Sequence, residues 1–467
     1  MGEQKNVWKK QKKQWDSREK QAYLQILKLS WPIIIQHIFS AAVSSADIVM
    51  LNSVGQAAIS AVSLAVQYTN VLFGVYYGLG TGLTMLSAQY WGKGDLKAIE
   101  KVQGIALRFS LGISVLFAIP AVLIPEVMML LFTKDTELIR IGASYLRIVS
   151  VSYLCWGISE IFLSTLRSIE RVKISTALNV SALLMNIALN AVFIYGLFGV
   201  PKLGAAGAAL ATSISRMAEL AGCFAVSARS KDVKLRLRAM FEKSGILMKD
   251  FIRLSLPALG NDIVWNVAFS TYSVIMGHMG TDVVAANSLV VVVRNFGTVL
   301  CFSLASAAGI LVGKEIGANH FEQAEQDADR AVKLTVLAGV LGGLLVVAVR
   351  PFVLSYASLS ETAMGYLNVM LWITTYYIMG QAVNTTMVCG IFRAGGDSRF
   401  GLVMDAVVMW VYAVPMGFFA AFVLKIPPMW VYFLLCTDEF VKWPVVIRRY
   451  RRKKWLNNIT RESVTAE

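Results

Sequence analysis

Apolar stretches of about twenty residues or more, long enough to cross a bilayer as helices, recur twelve times along this chain. They lie near 31–52, 60–88, 104–125, 139–165, 174–197 and 204–228, and after a gap near 251–279, 284–312, 331–355, 363–391, 401–424 and 429–447. Hydrophobic residues make up 56% of the 467 and charged ones 16%, so there is more apolar surface than a soluble interior can enclose. The surplus faces lipid. The chain lacks the alternating pattern of a membrane barrel, and helices are then the remaining way to satisfy the backbone inside hydrocarbon. The expectation is an all-α membrane protein with twelve transmembrane helices.

Charge sets the expected orientation. With the amino terminus in the cytoplasm, about 36 of the 44 Lys and Arg fall in the tails and cytoplasmic loops, and about 5 (Lys134, Arg140, Lys202, Arg350, Lys425) fall outside. Both termini are therefore expected to be cytoplasmic. The net charge of +15 is spread in short pieces between spans, which argues against a nucleic-acid surface. The basic stretch before Trp31 has no apolar run, so no cleavable signal peptide is expected. Trp8 and Trp15 among lysines suit a surface-lying amphipathic helix, with a solvated basic tail as the plainer reading. The five cysteines have no CxxC spacing and sit in apolar runs, and three histidines make a histidine metal cluster unexpected.

The two halves repeat one another. At an offset of 225, Leu29, Ser30 and Pro32 fall on Leu254, Ser255 and Pro257; Gly55 falls on Gly280, Asn70 on Asn295 and Gly92 on Gly317. At 226, Arg167 falls on Arg393. Each repeat holds an even number of spans, so both enter from the same side and the pseudo-twofold axis runs along the membrane normal. The expected layout is a basic tail 1–28, an amino lobe 29–228, a basic linker 229–250, a carboxy lobe 251–447 and a basic tail 448–467. Parallel repeats of this kind are a transporter architecture with its site at the midplane.

The runs LSLPALGNDIVWNVAFSTYSVIMGHMGTDVVAANSL, GILVGKEIGANHFEQA and IFRAGGDSRF, with DIVMLNSVGQAAISAVSLA and FIYGLFGVPKLGAAGAALAT in the first half, resemble the multidrug and toxic compound extrusion (MATE) family, especially its Firmicutes-like bacterial branch. The resemblance covers about 29–455. It implies two six-helix lobes forming a V in a bacterial inner membrane. It also implies alternating access and export of organic, often cationic compounds, driven by protons or sodium. A monomer is expected on the same ground, with membrane lipids and small organic cations as partners and no cofactor beyond the coupling ion.

Ionisable residues inside apolar spans are costly and are functional candidates by default. Gln36, Ser40, Ser44 and Asp47 follow at steps of four, four and three, one helical face ending in a carboxylate. The resemblance makes Asp47 the amino-lobe ion site. A carboxylate in a low-dielectric cavity holds protons more readily, or binds sodium where other oxygens complete the shell. Asn179, Asn186 and Asn190 stripe the fifth span. The family often carries an aspartate where Asn190 stands, so a two-carboxylate site in the amino lobe is not expected; interhelical hydrogen bonding is the structural alternative.

In the carboxy half the candidates are Asn261, Asp262, Trp265, Tyr272, Asp405 and Tyr412, with Asp262 standing where the resembled branch has a glutamate. Trp265, Phe269 and Tyr272 offer an aromatic face for flat or cationic compounds, or plain packing. Asp262 and Asp405 are expected as an acidic pair, and Arg294 as the neutralising partner of one of them. Glu160 with Arg147, and Arg216 with Glu219, read as structural ion pairs. Lone His37 reads as a packing residue or a proton relay. No GxxxxGK[ST] occurs, so no nucleotide site is expected. A lipid-linked precursor flippase and an integral-membrane transferase are the alternatives, and neither the cationic cavity of the first nor the clustered loop ligands of the second is evident.

Overall fold

The structure, a computed structural model, describes residues 2–52, 54–242, 245–357 and 359–462, with side chains from Glu19 onward apart from Ser45, Ile48 and Asn52. The surface helix considered for Trp8 and Trp15 lies outside those side chains. Every regular element among the described residues is helical.

The first half contains α1 (Gly2–Asn52), α2 (Gln56–Lys93), α3 (Leu96–Leu123), the short α4 (Pro125–Leu130), α5 (Thr136–Val149), α6 (Val151–Ser168), α7 (Val172–Tyr195) and α8 (Ala205–Arg229). The second contains α9 (Gly245–Gly277), α10 (Thr281–Gly317), α11 (Phe321–Tyr356) and α12 (Glu361–Asn384), then α13 (Ser398–Val407), α14 (Val414–Phe418), α15 (Pro428–Leu435) and α16 (Asp438–Arg451). All twelve expected spans fall on these helices. Among the described residues eight are long and apolar enough to cross a membrane, or nine if α5 and α6, bent by 49°, form one span. The others carry more polar side chains or a break. Wide π-helical turns follow α12 at Thr385–Phe392 and flank α14 at Val408–Ala413 and Phe419–Val423.

The repeat is visible in the backbone. Gly55 and Gly280, at the starts of α2 and α10, have φ of 131° and 134°, a region open to glycine and closed to side chains. The left-handed turn residues Gly94 and Asn319 stand at the same offset of 225, and Glu170 and Gly396 at 226.

Internal packing divides the chain into two compact units, one of Met1–Ile34 and Ile263–Ile459, the other of Ile35–Asp262 and Thr460–Glu467. Both α1 and α9 therefore contribute to both units. The changeover follows Pro32 and Pro257, whose missing N–H groups weaken the helix locally. In the amino-half unit, Leu72, Tyr76, Leu146 and Tyr153 form a core, with the Tyr76 hydroxyl donating to the Tyr153 carbonyl at 2.9 Å. In the carboxy-half unit, α10, α11 and α12 pack on one another around Met370, Leu371 and Tyr377. Leu116, Leu123, Leu344, Val403 and Val411 point outward and exposed, the apolar coat a bilayer would cover.

Candidate functional site

In the amino-half unit the asparagine stripe of α7 is buried and each member has its own task. Asn190 Nδ2 donates to Asp47 Oδ1 at 2.6 Å and, more loosely, to Asn186 Oδ1 at 3.2 Å. Asn186 Nδ2 in turn donates to Thr212 Oγ1 on α8 at 3.2 Å. One chain of polar groups thus joins α1, α7 and α8. Among the described residues Asn190 supplies the only side-chain partner of Asp47, and the buried Asn190 Oδ1 has no donor. Asp47 is an acid with a neutral partner. Gln36, Ser40 and Ser44, on the same face of α1, are half-buried or exposed, and among the described residues Gln36 Oε1 has no partner.

Two other buried acids of this unit, Glu219 and Glu160, have cationic partners. Asn179 Nδ2 donates to Glu219 Oε1 at 2.9 Å, and Arg216 Nη1 lies 2.8 Å from Glu219 Oε2, as the sequence suggested. The Arg216 guanidinium also covers the Trp156 ring at 4.3 Å. The expected pairing of Glu160 with Arg147 does not form: Glu160 binds Arg167 at 2.6 Å, and Arg147 binds Glu126 at 3.1 Å. Residues 160 and 167 share a face of α6, whereas 147 lies beyond the bend that separates α5 from α6. Asn261 is buried and Asp262 half-buried, both on the part of α9 that belongs to this unit.

The carboxy-half unit gathers its charge elsewhere. Trp265, Phe269 and Tyr272 on α9 form an aromatic run, with ring centroids 4.3 and 5.4 Å apart. Arg294 lies over Phe269 at 4.5 Å and, among the described residues, makes no ion pair. The neutralising role assigned to Arg294 falls to Lys442, whose Nζ is 2.8 Å from Asp405 Oδ1, 3.3 Å from Glu439 Oε1 and 3.8 Å from Asp438 Oδ2. All four side chains are buried. Asn384 Nδ2 donates to Glu439 Oε2 at 2.7 Å, and the Tyr377 and Tyr272 hydroxyls reach Glu439 and Asp438 at 3.5 Å. Tyr412 bonds Thr437 at 3.0 Å. Sequence reasoning passed over Asp438, Glu439 and Lys442. Their signal was an acidic pair followed by a lysine within an apolar span.

Buried groups of this kind could hold a small cation: a carboxylate whose side-chain partner is a neutral amide, and a second set of acids gathered around Lys442. Comparison with known proteins agrees with the architecture. The family model MatE matches residues 32–192 and 257–419. An uncharacterized transporter, YisQ, of Bacillus subtilis is 23% identical over 92% of this chain and 94% of its own length. The protein named "Probable multidrug resistance protein NorM" of Bradyrhizobium diazoefficiens is 24% identical over 92% and 93%. A solved outward-facing multidrug resistance MATE family transporter superimposes with a TM-score of 0.84 at 20% identity, over 92% of this chain and 96% of that one. A MOP superfamily transporter from Pyrococcus furiosus does so at 0.82 and 19%, over the same shares. Likeness at this identity speaks for the fold.

Proposed function

The chain belongs to the MatE family, and from that membership we propose that it is a multidrug efflux transporter: a secondary antiporter exporting organic, cationic compounds against protons or sodium by alternating access. It is a multi-pass membrane protein. We place it in a bacterial inner membrane with both termini cytoplasmic, as a monomer using no cofactor besides the coupling ion.

The observation that carries the reading is Asp47, an acid inside a span whose partner is the neutral Asn190 amide at 2.6 Å, where the acids Glu160, Glu219 and Asp405 have cationic partners. Such a carboxylate gains from any cation that reaches it. A proton neutralises it outright; sodium would use its oxygens together with the unpartnered Asn190 Oδ1. An organic cation competes for the same charge, so ion and cargo bind in alternation and shift the inward and outward populations in opposite senses. Each inward charge gains about 2.3 kcal/mol per 100 mV, enough to drive uphill export. The Trp265, Phe269 and Tyr272 run supplies faces on which flat cations stack.

The test is ethidium efflux from energised vesicles with proton and sodium gradients imposed separately, on the native chain and Asp47→Asn. Transport under one gradient, lost in the variant, is the expected result. Native-level coupled efflux by Asp47→Asn would remove the coupling role from this residue. A native chain that moves ethidium under neither gradient would overturn the antiporter reading.

A further inference from the structure

On the carboxy-half unit, α11 and α16 both pack against α12 and the Thr385–Phe392 turn, and between them a trough of about 550 Å³ stays open. One wall is the α11 face of Glu325, Asp329, Val332 and Val336, spaced by four, three and four. The other is the α16 face of Trp443, Ile447 and Tyr450, continued by Arg451 and Lys453. Contacts of Glu325 with Lys453 and of Asp329 with Tyr450 set the walls antiparallel. Since α11 begins at the charged end and α16 finishes there, both walls pass from apolar to charged in the same direction, over about 16 Å at 1.5 Å per residue. Val383 and Met387 complete the apolar part.

The charged end is balanced and held in place. Lys453 Nζ lies 2.6 Å from Glu325 Oε2, and the Tyr450 hydroxyl donates to Asp329 Oδ1 at 2.5 Å. Asp329 and Arg451 are both exposed, and among the described residues neither makes an ion pair. Arg449 grips Asp397 through bonds of 2.7 and 3.0 Å, and the buried Trp455 stacks on Tyr450 with ring centroids 5.6 Å apart, which fixes the end of α16. At the apolar end Val336 is exposed, as are Leu337 and Leu341 further along α11, so the trough opens onto the apolar coat. A cleft of this polarity fits an amphiphile with a zwitterionic head. A phosphate suits the Arg451 guanidinium and an ammonium suits the Asp329 carboxylate, in keeping with the way basic clefts between spans take lipid heads. A head with only negative charge would meet Glu325 and Asp329 at the same rim. The quaternary ammonium of choline has no N–H to donate to Asp329, whereas the primary ammonium of ethanolamine has three, like a lysine.

We propose that this trough is a binding site for one phosphatidylethanolamine molecule, with an acyl chain along Val332, Val336 and Ile447, the phosphate on Arg451 and the ammonium on Asp329. The bound lipid bridges α11 and α16. Every residue of the site belongs to the carboxy-half unit, and neither Asp47 nor Lys442 takes part, so the proposal stands apart from the antiporter reading.

Trp443 lines the trough, so lipids with brominated acyl chains report occupancy by quenching its fluorescence. The purified full chain is reconstituted in phosphatidylcholine vesicles with a rising fraction of brominated phosphatidylethanolamine, phosphatidylcholine or phosphatidylglycerol, and the quenching that disappears in Trp443→Phe is the signal from the trough. Half of that signal is expected at an ethanolamine-lipid fraction roughly two- to five-fold lower than for the other two lipids, the range of a partly solvated ion pair. Asp329→Asn is expected to erase the preference. Val336→Trp, at an exposed position, fills the trough and is expected to retain one ethanolamine lipid fewer than the native chain in native mass spectra, while Leu344→Trp, exposed and outside the trough, retains the native number. Quenching in proportion to bulk composition for all three lipids would reduce the contact to ordinary bilayer and overturn the proposal. So would a preference for the glycerol lipid, or an ethanolamine preference that survives Asp329→Asn.

Discussion

Asp47 depends on one amide, so Asn190 is where the amino-half site is most easily perturbed. Hydrogen bonds to charged groups contribute about 1.5–3 kcal/mol, so Asn190→Leu is expected to weaken occupancy by the coupling ion roughly ten-fold or more. Coupled ethidium efflux measured against ion concentration would show it, with Asn186→Ala, one bond further from the carboxylate, having a smaller effect. The ion pair beside it predicts a stability effect instead. Arg216→Gln strands the buried Glu219, at a cost of about 3–5 kcal/mol, and Arg216→Gln with Glu219→Gln is expected to recover most of it in thermal unfolding. Asp47, Asn186 and Asn190 were legible in the sequence because helical spacing puts polar residues of one helix on one face. The partners of Glu160 and Arg294, and the Lys442 cluster, were not. They depend on which helices meet, and on α16 beginning at Asp438, just beyond a break that apolar content alone does not mark.

Helix existence was the most legible level of the fold, since a run of about twenty apolar residues has one outcome in lipid. The internal breaks were not: the bend between α5 and α6 and the three π-helical turns of the second half leave the apolar runs unbroken. One of these turns is fixed by close packing. A Cβ added at Gly390 would lie 2.6 Å from the Ala305 carbonyl oxygen, and one at Gly309 would lie 3.2 Å from the Gly390 carbonyl oxygen, so α10 and the Thr385–Phe392 turn meet backbone to backbone. Because the obstacle is main chain, no rotamer change relieves it. Gly390→Val is expected to cost about 1–3 kcal/mol or more, read as a lower unfolding temperature in detergent. Gly112→Ala, with open space around the added carbon, is expected to leave that temperature near native.

At the scale of the molecule, orientation follows from counting and charge. Twelve spans would return the chain to the side it started from, so the amino tail, the 229–250 linker and the carboxy tail are expected on one face. With that orientation the basic residues concentrate on the shared face, and those expected opposite it, Lys202 and Lys425 among them, are few. Gly94 and Asn319, the left-handed turns after α2 and α10, stand at equivalent places in the repeat and are expected on the same side of the membrane. Lys202, Lys425 and Lys231 are exposed, which makes them fair sites for a reporter thiol once the five native cysteines are replaced. In intact cells, a membrane-impermeant maleimide is expected to label Lys202→Cys and Lys425→Cys and to leave Lys231→Cys unlabelled, with the pattern reversing in inverted vesicles. Labelling of Lys231→Cys from outside would invert the molecule, and with it the direction in which the gradient must run to drive export. Labelling of Lys202→Cys and Lys425→Cys from opposite sides would break the even count of spans on which the parallel repeat depends.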